Sequence, residues 1–194
     1  MGDPPAEVFL LEREAGFATA RVGFPSIFGC LAVAMRTNQG IYGFHNAGGS
    51  GDTQFETRAG LFADFVNTHA GARGFEANHL YGVTFVQDQR GYTMGQQRER
   101  WMEELTAFAT ALGHDGPISG VDMSGAFDGS AYVQFNTTGN GCTVKLKRWN
   151  DGHKTTGANP RSRHQQSLIG QAPGNIVTDV TTEGLHAVQV ESLR

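Results

Sequence analysis

Cys30 and His45 are the two side chains whose types and spacing could do chemistry together. Between them runs LAVAMRTNQGIYGF, which reads as two apolar strands around the polar turn Arg36-Thr37-Asn38-Gln39. If 31–35 pairs with 40–44 through a two-residue loop at Thr37-Asn38, paired positions sum to 75 and Cys30 stands opposite His45. Their Cα atoms would then be about 4.5–5.5 Å apart. The next odd sum, 77, pairs His45 with Ala32 and keeps Cys30 on the same face as a diagonal neighbour, because alternate residues of a strand share a face. An even sum separates them. A thiol beside an imidazole is a nucleophile beside its base: only the thiolate attacks well, and the imidazole takes the proton and returns it to the leaving group. Gly29 lets a substrate carbonyl approach the backbone, where N–H groups could stabilise an oxyanion. The competing reading makes Cys30 a core residue, since free cysteine is among the most buried types.

The elements that must position this pair follow from the periodicity. Strands are expected at 8–11, 18–22, 29–35 and 40–44, rich in Val, Phe and Ile and punctuated by Gly and Pro. Thr53 and Glu56 have capping-box spacing, and Phe55, Ala59, Phe62 and Val66 form one helical stripe that ends before Gly71. A strand at 80–86 precedes a second helix, opened by Thr93 and Gln96, with Trp101, Leu105, Phe108 and Leu112 as its buried stripe. Further strands are expected at 118–123, 131–136, 142–149 and 185–190, with an Asn140-Gly141 turn between the third-last and second-last. The order predicts a single α/β (α+β) domain over 1–194, with a largely antiparallel or mixed sheet or sandwich flanked by two main helices. The polar segment 150–184 is expected to be a mobile rim.

Composition narrows the classes. The 194 residues carry a formal charge of −4, with 39% hydrophobic and 18% charged residues, which fits a folded domain and gives no nucleic-acid footprint. Six cations (Lys145, Lys147, Arg148, Lys154, Arg161, Arg163) face one acid, Asp151, between 145 and 164. They read as a solvated face, or as a surface that steers an acidic partner. No stretch is long and apolar enough to span a membrane, and MGDPPAEVF lacks signal-peptide character. The expectation is a cytoplasmically made, monomeric protein. Two cysteines, Cys30 and Cys142, are too few for a disulfide scaffold, though one bridge between them is open. His69, His79, His114, His153, His164 and His186 lack ligand spacing, so no metal or cofactor is expected. Glu103-Glu104 reads as a solvated helix pair, and 46–52 (NAGGSGD) as a flexible rim beside the site.

Phe28-Gly29-Cys30 at a strand start, with His45 at the end of the next strand, resembles the catalytic core of the cytotoxic necrotizing factor family of glutamine deamidases, and more loosely Burkholderia lethal factor and the CheD chemoreceptor deamidases. The resemblance covers about residues 24–49. It implies a Cys30 nucleophile and a His45 base that convert a glutamine of a target protein, such as a GTPase or translation factor, to glutamate. It further implies a toxin or effector delivered to another cell by a specialised secretion system. The toxins have Leu-Ser-Gly-Cys where this chain has Ile27-Phe28-Gly29-Cys30, with Ser26 displaced upstream. In such families a backbone carbonyl often orients the histidine; side-chain candidates for that role here are Asn46, Asp122 and Asp128. Two alternatives stand beside this reading: another Cys-His enzyme (peptidase, amidase or transglutaminase), or a non-enzymatic binding or immunity-type module.

Overall fold

Residues 3–48, 54–150, 154–156, 164–170, 175–177 and 180–194 are described by a computed structural model. In chain order the elements are β1 (Val8–Phe9), β2 (Glu14–Ala18), β3 (Arg21–Ile27), β4 (Leu31–Thr37), β5 (Ile41–Asn46), α1 (Phe55–Ala70), β6 (Ala77–Thr84), α2 (Gln97–Ala111) and β7 (Ile118–Asp122). There follow β8 (Ala131–Thr138), β9 (Gly141–Arg148), β10 (Lys154–Thr156), β11 (Gln165–Ser167), β12 (Asn175–Val177), β13 (His186–Ala187) and β14 (Glu191–Ser192). A seven-stranded sheet has the order β11-β2-β5-β4-β6-β7-β14, and a five-stranded sheet the order β1-β3-β8-β9-β13. Both are mixed: β6–β7 and β1–β3 are parallel pairs, and their other pairings are antiparallel. The β6–β7 pair needs a crossover, and α2 supplies it.

Three layers result, giving the expected α+β domain with a sheet flanked by two helices. On β4 the odd residues Leu31, Val33 and Met35 pack with α1 and α2, while Ala32 and Ala34 face the five-stranded sheet. Burial on both faces explains why LAVAM reads as a continuous apolar run rather than an alternation. The helical stripes bury as expected: Phe55, Ala59, Phe62 and Val66 on α1, and Trp101, Leu105 and Phe108 on α2 with Leu112 just beyond it.

Several expectations are corrected. The strand expected at 18–22 spans a turn at 19–20, which divides β2 from β3. Its β3 half runs on through Pro25 because a bulge with Ser26 at φ 61° shifts the register against β8. The strand expected at 185–190 is two short strands in different sheets. The N-caps are Gln54 and Gln96, neither of which makes a side-chain capping hydrogen bond, and Thr53 lies outside the described residues. The polar segment 150–184 contains strand: β11 is an edge of the large sheet against β2, β10 pairs with β12, and Val180 is buried beside Tyr132 and Trp149. Arg161 and Arg163 lie outside the described residues. In the basic stretch Lys145 bonds Asp3, and Lys147 is buried with its ammonium donating to the Thr181 carbonyl, so those two cations are not a solvated face.

Candidate functional site

The β4–β5 hairpin closes on a two-residue loop at Asn38-Gln39, with Thr37 N–H donating to Gly40 O at 2.8 Å. Paired positions therefore sum to 77, and His45 stands opposite Ala32. Cys30, two residues before Ala32, is on the same face as a diagonal neighbour. Both side chains enter the layer between the sheets: Cys30 is in the apolar cluster there, and the His45 ring lies edge-on to Phe24 of the same cluster, centroids 6.2 Å apart. The loop falls one residue later than Thr37-Asn38 because the Thr37 hydroxyl accepts the N–H groups of Gln39 and Gly40, tying off the turn.

A main-chain carbonyl orients His45. Its Nδ1 lies 2.8 Å from Leu10 O, and because a carbonyl only accepts, Nδ1 carries the proton. In the neutral ring the lone pair is then on Nε2. No property of Leu10 in the sequence marks it for this role, since any residue offers a carbonyl; only the fold brings the β1–β2 connection beside β5.

Cys30 is 9% exposed and rests as a thiol. Burial pushes its pKa up, and this outweighs the lowering by the Gly48 N–H, by the Arg90 cation and by the Phe28 N–H; the charge of Glu12 adds to the rise. The depressed thiol pKa that an imidazole neighbour favours is thus not the resting condition, and the proton must leave as the sulfur attacks. Thr84 Oγ1 donates to Cys30 O at 2.7 Å, fixing the peptide after the sulfur. Phe28, two residues before Cys30, is 48% exposed.

The three side-chain candidates for orienting His45 are placed elsewhere. Asn46, next along β5, projects to the opposite face, where its Nδ2 donates to Glu104 Oε1 at 2.7 Å and its Oδ1 accepts from Arg58 at 2.8 Å. Asp122 at the end of β7 accepts the N–H groups of Val86 and Ser124 and the Ser124 hydroxyl, building the turn there. Asp128 is exposed in the loop before β8. Gly29, the remaining candidate, has a φ of 73°, which favours glycine, and a Cβ there would meet Gln89 O at 3.0 Å.

A buried polar network beneath the two loops carries no motif. Glu104, fully buried, accepts from Asn46, from Arg90 Nη2 at 2.5 Å and Nε at 3.2 Å, and from the Tyr92 hydroxyl at 2.6 Å. Arg90 Nη1 donates to Gly29 O and to Ala47 O, each at 3.0 Å, and Arg58 adds a 2.6 Å bond to Ala47 O. Burial would lower the Arg90 guanidinium, but Glu104 and Tyr92 reverse this and hold its pKa above the usual value. Tyr92 is raised by burial and by Glu104, so it stays a phenol. Burial, with Arg90 next in weight, lowers Arg58. The solvated reading of Glu104 is therefore corrected: Glu103 pairs outward with Arg100, while Glu104 follows Trp101 by three residues and adjoins Leu105 on the buried stripe. The flexible-rim reading is corrected at its start, since Asn46 and Ala47 are buried and Gly48 is packed against Gly29; 49–52 lie outside the described residues.

Cys142 is a free thiol, as is Cys30, so the two form no disulfide. Burial pushes Cys142 up to about 12. His69 meets His164 at 2.7 Å and the Tyr42 hydroxyl at 3.0 Å, a contact no spacing revealed. Among the described residues no group of three or more His, Cys, Asp or Glu is placed to hold a metal, and no helix is long and apolar enough to cross a membrane. No protein-family model and no curated protein matches the chain.

Proposed function

We propose that this protein is a cysteine-dependent deamidase of glutamine, or asparagine, in a target protein. The observation that carries the reading is a thiol and an imidazole in one layer of a hairpin, the imidazole's Nδ1–H held by the Leu10 carbonyl so that Nε2 is its basic nitrogen. Nε2 takes the Cys30 proton as sulfur bonds the carboxamide carbon. The resulting imidazolium gives that proton to the nitrogen, ammonia leaves, and a thioester remains. Water, losing a proton to Nε2, attacks the thioester, and the thiol is regenerated with a carboxylate product. No step needs a metal or an organic cofactor.

The resemblance at 24–49 supports a protein substrate over a small amide, and with it delivery to a target cell as a toxin or effector. Incubating candidate target proteins with the protein, then following ammonia release and the NH₂-to-OH mass change, tests this directly. Cleaved chains would favour the peptidase alternative, and no product on any amide would favour the binding module. Alkylation rate alone is a poor discriminator, because a resting buried thiol reacts slowly whether or not it is catalytic.

A further inference from the structure

The geometry points to an oxyanion hole made by the backbone N–H groups of Cys30 and Gly48, with Arg90, backed by Glu104, as the positioning residue that aims both. The inference rests on the acyl-transfer reading above and adds to it where the carbonyl oxygen of the substrate goes and which buried pair fixes that place.

Gly29 O and Cys30 N–H belong to one peptide, and Ala47 O and Gly48 N–H to another; no peptide here is cis, so in each the N–H points opposite to the carbonyl. A single nitrogen, Arg90 Nη1, draws both carbonyls to its side at 3.0 Å, and Arg58 draws Ala47 O further. Both N–H groups must therefore face away from Arg90. The Gly48 N–H also lowers the Cys30 thiol's pKa, as a donor turned toward that side does, and next to that sulfur the oxyanion of a sulfur-bound tetrahedral carbon must form. The two peptides lie so close that a Cβ on Gly48 would sit 2.1 Å from Gly29 O. The fork of Arg90 needs a partner to stay put, and Glu104 takes its Nε and Nη2 while Tyr92 and Asn46 hold Glu104. A merely structural ion pair would have no reason to spend its third donor on the two loops that flank the nucleophile.

Propionaldehyde, which carries a terminal carbonyl on the carbon chain of a glutamine side chain, tests the hole without a protein substrate. The Cys30 sulfur adds to its carbon, the thiol proton passes to its oxygen, and a hemithioacetal forms whose oxygen occupies the same place. In a Cys142→Ser background, ¹³C-labelled aldehyde should give an adduct that Cys30→Ser abolishes. Arg90→Met with Glu104→Gln, made together so that no buried charge is orphaned, should weaken the adduct by about tenfold or more. Unchanged adduct affinity overturns the inference and leaves the Cys-His reading standing. No adduct in the parent overturns that reading and this inference with it. Should the double variant not fold, the parent decides: the amide resonances of Cys30 and Gly48 must both shift on adduct formation, and their failure to do so overturns the inference.

Discussion

A histidine tied by Nδ1–H to a main-chain carbonyl has its tautomer chosen by the fold, and no side-chain substitution at position 10 can undo that choice. Removing the ring does undo it. His45→Ala should abolish turnover and leave Leu10 O buried without its donor, at a cost of about 1–3 kcal/mol. Cys30→Ser should abolish turnover while the fold stays intact, because a hydroxyl is a far weaker nucleophile than a thiol of nearly the same shape. Denaturant titrations beside the deamidation assay check both; a Cys30→Ser variant that turns over would show the wrong cysteine had been chosen. The second thiol makes a pH prediction. Cys142 titrates at about 12 in the fold against 9.0 ordinarily, so the folded state holds this proton more tightly than the unfolded chain. Its contribution to stability is complete below the unfolded value and is lost as pH rises through the folded one. Cys142→Ala should therefore lose less stability than the parent as pH is raised from 9 toward 12, measured by urea midpoints across that window.

At the scale of elements, the site depends on how closely two loops approach. Gly48→Ala would place a Cβ against the Gly29 carbonyl, backbone that cannot swing away, and should cost about 1–3 kcal/mol together with activity. Gly60, within α1 with nothing inside 4 Å of its ideal Cβ, should behave oppositely: Gly60→Ala gains about 0.5–1 kcal/mol from helix propensity alone and leaves activity unchanged. Paired thermal melts would separate the two. The contrast also shows what the sequence could reveal. The α1 and α2 stripes were legible because burial repeats every three to four residues, and LAVAM was legible as strand because both its faces are covered. The shared face of Cys30 and His45 followed from parity, though parity alone left the register open between sums of 75 and 77. Illegible were the features set by contacts distant along the chain. Leu10 O is 35 residues from His45, and Arg90 is 61 from Gly29. Glu104 had one readable sign, its place beside Trp101 and Leu105 on the stripe, which a pairing with Glu103 as surface charge concealed. The strand expected across 18–22 failed because Val22 and Ala18 are both buried but lie on either side of a turn, and apolar character does not show chain direction.

On the scale of the molecule, the last ten residues reach all three buried clusters. Leu185 packs with Tyr132 and Trp149, Val188 and Val190 with the cluster between the sheets, and Leu193 with the helix-covered core. Along the way β13 covers the β9 edge of the small sheet, and β14 covers the β7 edge of the large one. Arg98 clamps Glu191 at 2.8 Å, and Arg194 reaches His114 O at 2.8 Å. Deleting 185–194 therefore opens an edge on each sheet, and the β7 edge it opens carries Ile118 and Val121 in strand geometry. Unpaired edges of this kind pair with other chains. The truncated protein should show a lower melting temperature and concentration-dependent association by sedimentation, with the full chain unchanged under the same conditions. Cys30, just before β4, and His45, on β5, sit at the middle of the large sheet, with β6 between β4 and β7, so any truncated protein that remains folded and dispersed should keep its turnover. A truncated chain that stays monodisperse and melts with the parent would show that the tail covers these edges without stabilising them.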